Sequence, residues 1–196
     1  MTNEKGKEKR NYGLAMPRLS INLEARDKEG KLIKKTHVPA NSWLSNFYQV
    51  LKMLLAPHLK YADLYIYGAT ATTNIWESFR STNWDNHDGG KTEIGVGNSD
   101  TAFSRTQSEL QGTSVFWADM EECTETSTEV TFRASILCTS ALTVKEVGLR
   151  WDSVLRRTLE TLANIMIERT VLDAVDQIDV PADGSVIATY VLTLPS

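Results

Sequence analysis

Residues 141–151 read ALTVKEVGLRW, and the character of the side chains alternates along this stretch. One side of an extended chain would carry Val144, Glu146, Gly148 and Arg150, and the other would carry Lys145, Val147, Leu149 and Trp151. A period of two is typical of a β-strand with one face toward a core and one face toward water. The stretch therefore predicts a sheet that buries one of its two faces.

Similar patterns lie on both sides of this stretch. Apolar residues alternate from Arg18 to Arg26, and the turn sequence at 27–30 would return the chain as a second strand over 32–38. Residues 152–167 fit either a helix or a strand, and they are read as a turn over 152–161 followed by a strand. Further strands are predicted over 63–69, 114–120, 129–139, 163–171 and 185–194.

One segment departs from the period of two. Its apolar residues recur at helical spacing in two adjacent stripes, with Asn41 or Ser42 suited to the N-terminal cap and Pro57 suited to ending the helix. The stripes are Trp43, Phe47, Val50 and Leu54, and Leu44, Tyr48, Leu51 and Leu55. This pattern predicts one amphipathic helix over about 42–56, packed against a sheet.

Together these elements predict a mainly β fold, an antiparallel β-sandwich or jelly-roll-like domain of roughly 8 strands with one amphipathic helix. Residues 18–196 would form a single β-rich domain. Residues 1–17 contain few apolar side chains and are expected to be a flexible N-terminal arm. The polar stretch 70–112 is read as a long insertion or loop, and loops of that length usually make contacts.

Composition excludes several classes of function. The formal net charge of −4 over 196 residues argues against a general nucleic-acid binder, because such proteins neutralise phosphates with clustered basic residues. We find neither an apolar run long enough to span a membrane nor the apolar core of a signal peptide, so folding in a cytoplasm is expected. The two cysteines, Cys123 and Cys138, lack metal-ligand spacing, and free, buried thiols are expected in preference to a disulfide bridge between them.

The sequence carries no recognisable catalytic motif. Its three histidines are dispersed, and the nucleophile, zinc and phosphate-loop signatures are missing. Scattered carboxylates are interpreted as solvated positions: Glu77, Glu93, Glu109, Glu146 and Glu168. We therefore expect no enzyme, no catalytic residues, no metal site and no cofactor, although two carboxylates that meet in a cleft could still serve a glycan-degrading enzyme.

Several short patterns in the second half of the chain occur together. They are Glu93–Ala102 followed by Glu109–Leu110, then Val144–Leu149, Ile167–Leu172, Val180–Ser185 and Thr189–Leu194. This set resembles small structural proteins from the heads, necks, tails or fibres of tailed bacterial viruses. Asn98 stands where glycine is more usual in that family, and Asp183 precedes Gly184 as an extra residue.

The resemblance implies a virion protein without chemistry of its own, found in the particle after folding in the host cytoplasm. Its partners would be copies of itself and other virion proteins, with no specific nucleic acid and no membrane. The shared positions are interpreted as structural. Subunit or partner contacts are predicted at Trp76, Phe79, Trp84 and Phe103 in the polar stretch and at Lys5, Lys7, Lys9 and Arg10 in the arm.

A carbohydrate-binding or host-surface-binding β-sandwich module is the alternative. It would use tryptophan rings as stacking platforms for sugars of a host-surface glycan. The candidate rings are Trp76, Trp84 and Trp117.

Overall fold

The computed structural model describes residues 18–40, 42–48, 62–66, 69–73, 91–156 and 161–193, with backbone only for 62–66, 69–73, 152–156 and 161–163. These residues contain 13 strands. In chain order they are β1 Arg18–Arg26, β2 Leu32–Pro39, β3 Ala62–Ile66, β4 Ala69–Thr73, β5 Lys91–Gly97, β6 Val115–Asp119, β7 Glu122–Glu125, β8 Glu129–Cys138, β9 Leu142–Val144, β10 Glu146–Arg156, β11 Thr161–Val171, β12 Ile178–Val180 and β13 Gly184–Thr193.

The strands form two main sheets in a sandwich-like arrangement. One has five strands in the order β2-β1-β13-β8-β7, and the other has four in the order β11-β10-β5-β6. Two short pairs, β12-β9 and β3-β4, complete the described strands. Every pairing is antiparallel, so the predicted class, a mainly β antiparallel sandwich, is confirmed.

The core lies between the two main sheets. The alternation in β1 buries Leu19, Ile21, Leu23 and Ala25, as their spacing predicts, and residues 134–138 of β8 and 184–190 of β13 alternate in the same way. Residues of both sheets belong to one apolar cluster, which includes Ile21, Leu23, Ile94, Val96, Ile136, Val147, Val186 and Tyr190. Apolar area removed from water on these facing surfaces stabilises the sandwich.

Several boundaries differ from the predictions. The described strands number 13 rather than roughly 8, and the polar stretch 70–112 is not one loop, because it contains most of β4 and all of β5. The turn predicted over 152–161 is also wrong in its first half, since β10 continues to Arg156. β10 keeps pairing there through a register shift between Trp151 and Val154, an irregularity that sequence alternation does not reveal.

The predicted helix begins later than its sequence pattern indicates. Residues 45–48 are helical, but Trp43 pairs with Glu168 as an isolated bridge, so 42–44 lies extended along the edge of β11. Backbone pairing with β11 outweighs the helical capping signal at Ser42. The rest of the predicted helix, from residue 49 onward, and the predicted arm at 1–17 lie outside the described residues.

Both cysteines are free, as expected, but only one of them is buried. Cys138 lies in the core at the end of β8, whereas Cys123 is exposed on β7. Cys123 sits opposite Phe132 in the β7–β8 hairpin, six residues along β8 from Cys138. A strand advances about 3.3 Å per residue, so the two thiols are too far apart to bond.

Candidate functional site

The chain itself covers the outer face of the four-stranded sheet, the face that points away from the five-stranded sheet. We call residues 98–114, which connect β5 to β6, the covering segment. A second apolar cluster joins it to the sheet, with Leu44, Leu110 and Met166 buried and Phe103, Val115 and Trp117 packed against them. The Ser45 N–H also donates to the Arg105 carbonyl oxygen at 2.9 Å, which ties the covering segment to residues 42–48.

Glu146 and Arg169 form a fully buried ion pair beneath the covering segment. Both side chains are 0% exposed, and Arg169 Nε donates to Glu146 Oε2 at 2.7 Å. The antiparallel pairing of β10 with β11 brings them together, since Gly148 lies opposite Arg169. A charge taken out of water costs several kcal/mol unless it is paired and hydrogen-bonded, so each of these groups requires further partners.

The covering segment supplies those partners. The buried carboxylate accepts hydrogen bonds from the backbone N–H groups of Gly112 at 2.7 Å and Gln111 at 3.0 Å. The buried guanidinium donates to Gln107 Oε1 and to the Thr101 carbonyl oxygen, each at 3.0 Å. The ion pair therefore fastens both the beginning and the end of the covering segment to the sheet.

Two glycines make room for these contacts. A Cβ atom on Gly97 would lie 2.5 Å from Glu146 Oε1, closer than such atoms approach in proteins. A Cβ atom on Gly148 would overlap the Met166 methyl group and crowd Leu110. Only glycine at these two positions lets the carboxylate and the covering segment lie this close to the sheet.

Residues from different patterns that carry the sequence resemblance therefore lie in contact. The interpretation of Glu146 and Glu168 as solvated is wrong. Glu146 and Glu168 are both 0% exposed. The prediction of one wet face over 144–151 is also wrong, because Glu146 and Gly148 are buried beneath the covering segment. Glu93 is only 12% exposed and pairs with Arg150, whereas Glu109 is exposed as predicted. Glu77 lies outside the described residues.

Glu168 occupies the space between the two main sheets, on the opposite side of β11 from Arg169. Its carboxylate accepts hydrogen bonds from the Tyr190 hydroxyl at 2.6 Å and the Thr170 hydroxyl at 2.5 Å. Burial raises the pKa of Glu168 to about 7, because the charged form loses its hydration, and the two hydroxyls and Arg169 offset only part of that cost. The sandwich thus contains an acid that titrates near neutral pH.

Replacing Glu168 with glutamine is expected to flatten the pH dependence of stability between about pH 5 and 7. The folded protein keeps the Glu168 proton up to about pH 7, whereas the unfolded chain releases it near the ordinary value of 4.5. The folded state binds more protons in this window, so wild-type stability falls as pH rises through it, by about 3 kcal/mol in total. Urea unfolding from pH 5 to 8 measures the difference.

Glu24→Gln is the matched control for this experiment. Hydrogen bonds from Lys35 and Arg26 lower the pKa of Glu24, so its contribution to stability is lost only as pH falls below the ordinary range. The control should therefore retain the wild-type slope above pH 5. Parallel stability curves for wild type and Glu168→Gln would contradict the assignment.

Trp117, a candidate stacking platform, is engaged by groups of its own chain. The indole ring packs on Gly95, and the Arg150 guanidinium lies 3.9 Å from the ring centroid. Arg150 Nε in turn donates to Glu93 at 2.5 Å. The adjacent cleft of about 150 Å3, between Trp117 and Asn164, is smaller than most ligand pockets.

Of the predicted contact residues, the structure describes Phe103 alone. It is half-buried, and its ring packs on the cluster of Leu44, Leu110 and Met166. The others lie outside the described residues and stay predictions: Trp76, Phe79, Trp84, Lys5, Lys7, Lys9 and Arg10.

Comparison with known proteins finds no match to a family model, to a curated protein or to a solved structure. Within the described ranges, His, Cys, Asp and Glu side chains form no group of three or more that could hold a metal ion. In the same part of the chain, every helix is too short or too polar to cross a membrane.

Proposed function

We propose that this protein is a non-enzymatic structural component of a tailed bacterial virus particle and works as one of many identical copies. Its partners are other copies of the same chain and neighbouring virion proteins. One observation carries the proposal: residues that give the resemblance lie in a single buried framework rather than around an open cleft. They are Gly97, Glu146, Gly148 and Arg169.

The chemistry of the buried acids favours a framework role. A catalytic carboxylate must reach the substrate, or a water molecule beside it. Both oxygens of Glu146 and both oxygens of Glu168 instead accept hydrogen bonds from groups inside the protein. Each acid holds neighbouring segments together at a point that solvent does not reach.

Rigid subunits suit repeated assembly. A closed or helical array requires every copy to present the same surface, and contacts between copies add stability that one chain lacks. The covering segment is fixed by charge-assisted hydrogen bonds, which are stronger than neutral ones. This fixation would keep the surface of each copy constant.

The proposal is tested by measuring mass and location. Light scattering over a dilution series should give a discrete multimer or a growing assembly, and electron microscopy should show a regular object. Mass spectrometry of purified virus particles should detect the chain at many copies. A strictly monomeric protein at high concentration that is missing from the particles would overturn the proposal. Glycan binding by such a monomer would favour the carbohydrate-binding module.

A further inference from the structure

The two edges of the five-stranded sheet carry opposite charge. β2 forms one edge and β7 the other, and among the described strands neither pairs on its outer side. Residues 31–38, which include most of β2, contain three lysines and no acidic residue. Residues 119–129, which include β7, contain five acidic residues and no lysine or arginine.

Both edges face solvent. All four residues of β7 are exposed, and the side chains of Lys35 and Glu122 are 58% and 53% exposed. On β2, Leu32 and Ile33 are each about half exposed, which is a large apolar area for a strand at a sheet edge. The ion pairs that these charges make within the chain lie at the surface and are weak, so the charges can still act on a neighbour.

The backbone of β2 presents hydrogen-bonding groups along its open edge. The Ala40 N–H donates to the Leu19 carbonyl oxygen, so Ala40 and Leu19 are a hydrogen-bonded pair between β2 and β1. Inward and outward groups alternate along an antiparallel strand. The N–H groups of Lys35 and His37 therefore point away from β1, toward the open side.

The same reasoning applies to β7. The Thr126 N–H donates to the Glu129 carbonyl oxygen, so Thr126 and Glu129 are a hydrogen-bonded pair at the end of the β7–β8 hairpin. By alternation, the N–H groups of Cys123 and Glu125 point away from β8. Each edge thus offers two outward donors that are two residues apart.

An odd number of antiparallel strands makes the two edges run in the same direction. β2 and β7 are the first and fifth strands of this sheet, so they are parallel to each other. If a second copy lies beside the first with the same face toward its own core, β7 of that copy runs parallel to β2 of the first. The outward N–H and C=O groups of the two strands then face each other and can bond as a parallel pair requires.

We infer that β2 of one copy pairs in parallel with β7 of the next copy, so that the five-stranded sheet continues from subunit to subunit. The inference rests on the proposed function and specifies its main contact. A two-fold contact would instead place lysines against lysines or glutamates against glutamates, which is unfavourable. The head-to-tail contact joins opposite charges and closes into a ring or grows into a filament.

Charge reversal on each edge tests the pairing. The first variant, Glu122→Lys with Glu125→Lys, replaces both acidic residues of β7 with lysine, so that β7 is basic like β2. The second, Lys31→Glu with Lys35→Glu, makes the β2 edge acidic like that of β7. We expect each variant alone to self-associate at least tenfold more weakly than wild type. An equimolar mixture should assemble again, because every basic edge then meets an acidic one. Assembly in the mixture also demonstrates that both variants fold.

A charge-neutral variant gives a second measurement. Cys123→Pro removes one outward N–H of β7 and leaves the β7–β8 hydrogen bonds in place. We expect it to weaken self-association of the full chain while its urea unfolding stays close to wild type. Serine at the same position keeps the N–H and is the control.

The outcomes separate this inference from the proposed function. Assembly that survives both charge reversals and Cys123→Pro overturns the edge pairing and leaves the homo-oligomer standing. A wild-type protein that never self-associates overturns both, and the lysines of β2 then act only to protect an exposed edge. Loss of assembly in each variant with recovery in the mixture supports the pairing.

Discussion

Arg169→Met is expected to lower the free energy of unfolding by about 3–5 kcal/mol. The substitution leaves the Glu146 carboxylate 0% exposed and without its cation. It also removes the donors to Gln107 and Thr101, so the covering segment loses its attachment at one end. Urea denaturation, followed by tryptophan fluorescence, measures the change.

Arg133→Met is the matched control. This arginine pairs with Glu121 and Glu122 at the surface, and its side chain is 37% exposed. Surface pairs contribute about 0–1 kcal/mol, so the control should change stability by no more than that. If the two variants are equally stable, Arg169 does not hold the covering segment as the geometry indicates.

Gly97→Ala is expected to lower the free energy of unfolding by about 1–3 kcal/mol, even though it adds one methyl group. The new Cβ would approach Glu146 Oε1 to 2.5 Å and Cδ to 3.0 Å. Moving the carboxylate away from the new Cβ would break hydrogen bonds, because Gln111, Gly112 and Arg169 all donate to it. Denaturation curves at neutral pH measure the loss, and hydrogen exchange at residues 98–114 should speed up.

Gly30→Asn is the control, because it replaces a glycine at a position where the added side chain meets no neighbouring atom. Gly30 has φ +82°, and a Cβ there would meet nothing within 4 Å. Asparagine tolerates the left-handed region better than most residues, so we expect a change below about 1 kcal/mol. A Gly97→Ala protein as stable as wild type would show that the carboxylate can relax away from β5.

Alternation predicted the strands whose two faces differ. Leu19 and Ile21 mark the core face of β1, and Tyr190 marks the core face of β13, because each strand has one face on the core and a polar face outside. β5 was missed. Its residues change from exposed at Lys91 to buried over 94–97 without alternating, and two of them are glycines, which have low strand propensity but leave space for neighbouring side chains.

The site was predicted poorly for a different physical reason. Glu146 and Arg169 are 23 residues apart, and only the register of β10 on β11 shows that they meet. A charged residue is read as solvated by default, since the sequence does not show that a distant segment will cover it. The short patterns containing both residues could be recognised, but their joint role required the paired strands.

The position of β13 determines the order in which the fold can be completed. It is the middle strand of the five-stranded sheet, and Thr193 near its end pairs with Arg18 at the start of β1. During synthesis, the β1–β2 and β7–β8 hairpins must wait for this last described strand before they belong to one sheet. Contacts this distant in sequence slow folding. The two charged edges therefore reach their final relative position only after β13 has been made, so the proposed pairing between copies would follow the synthesis of β13.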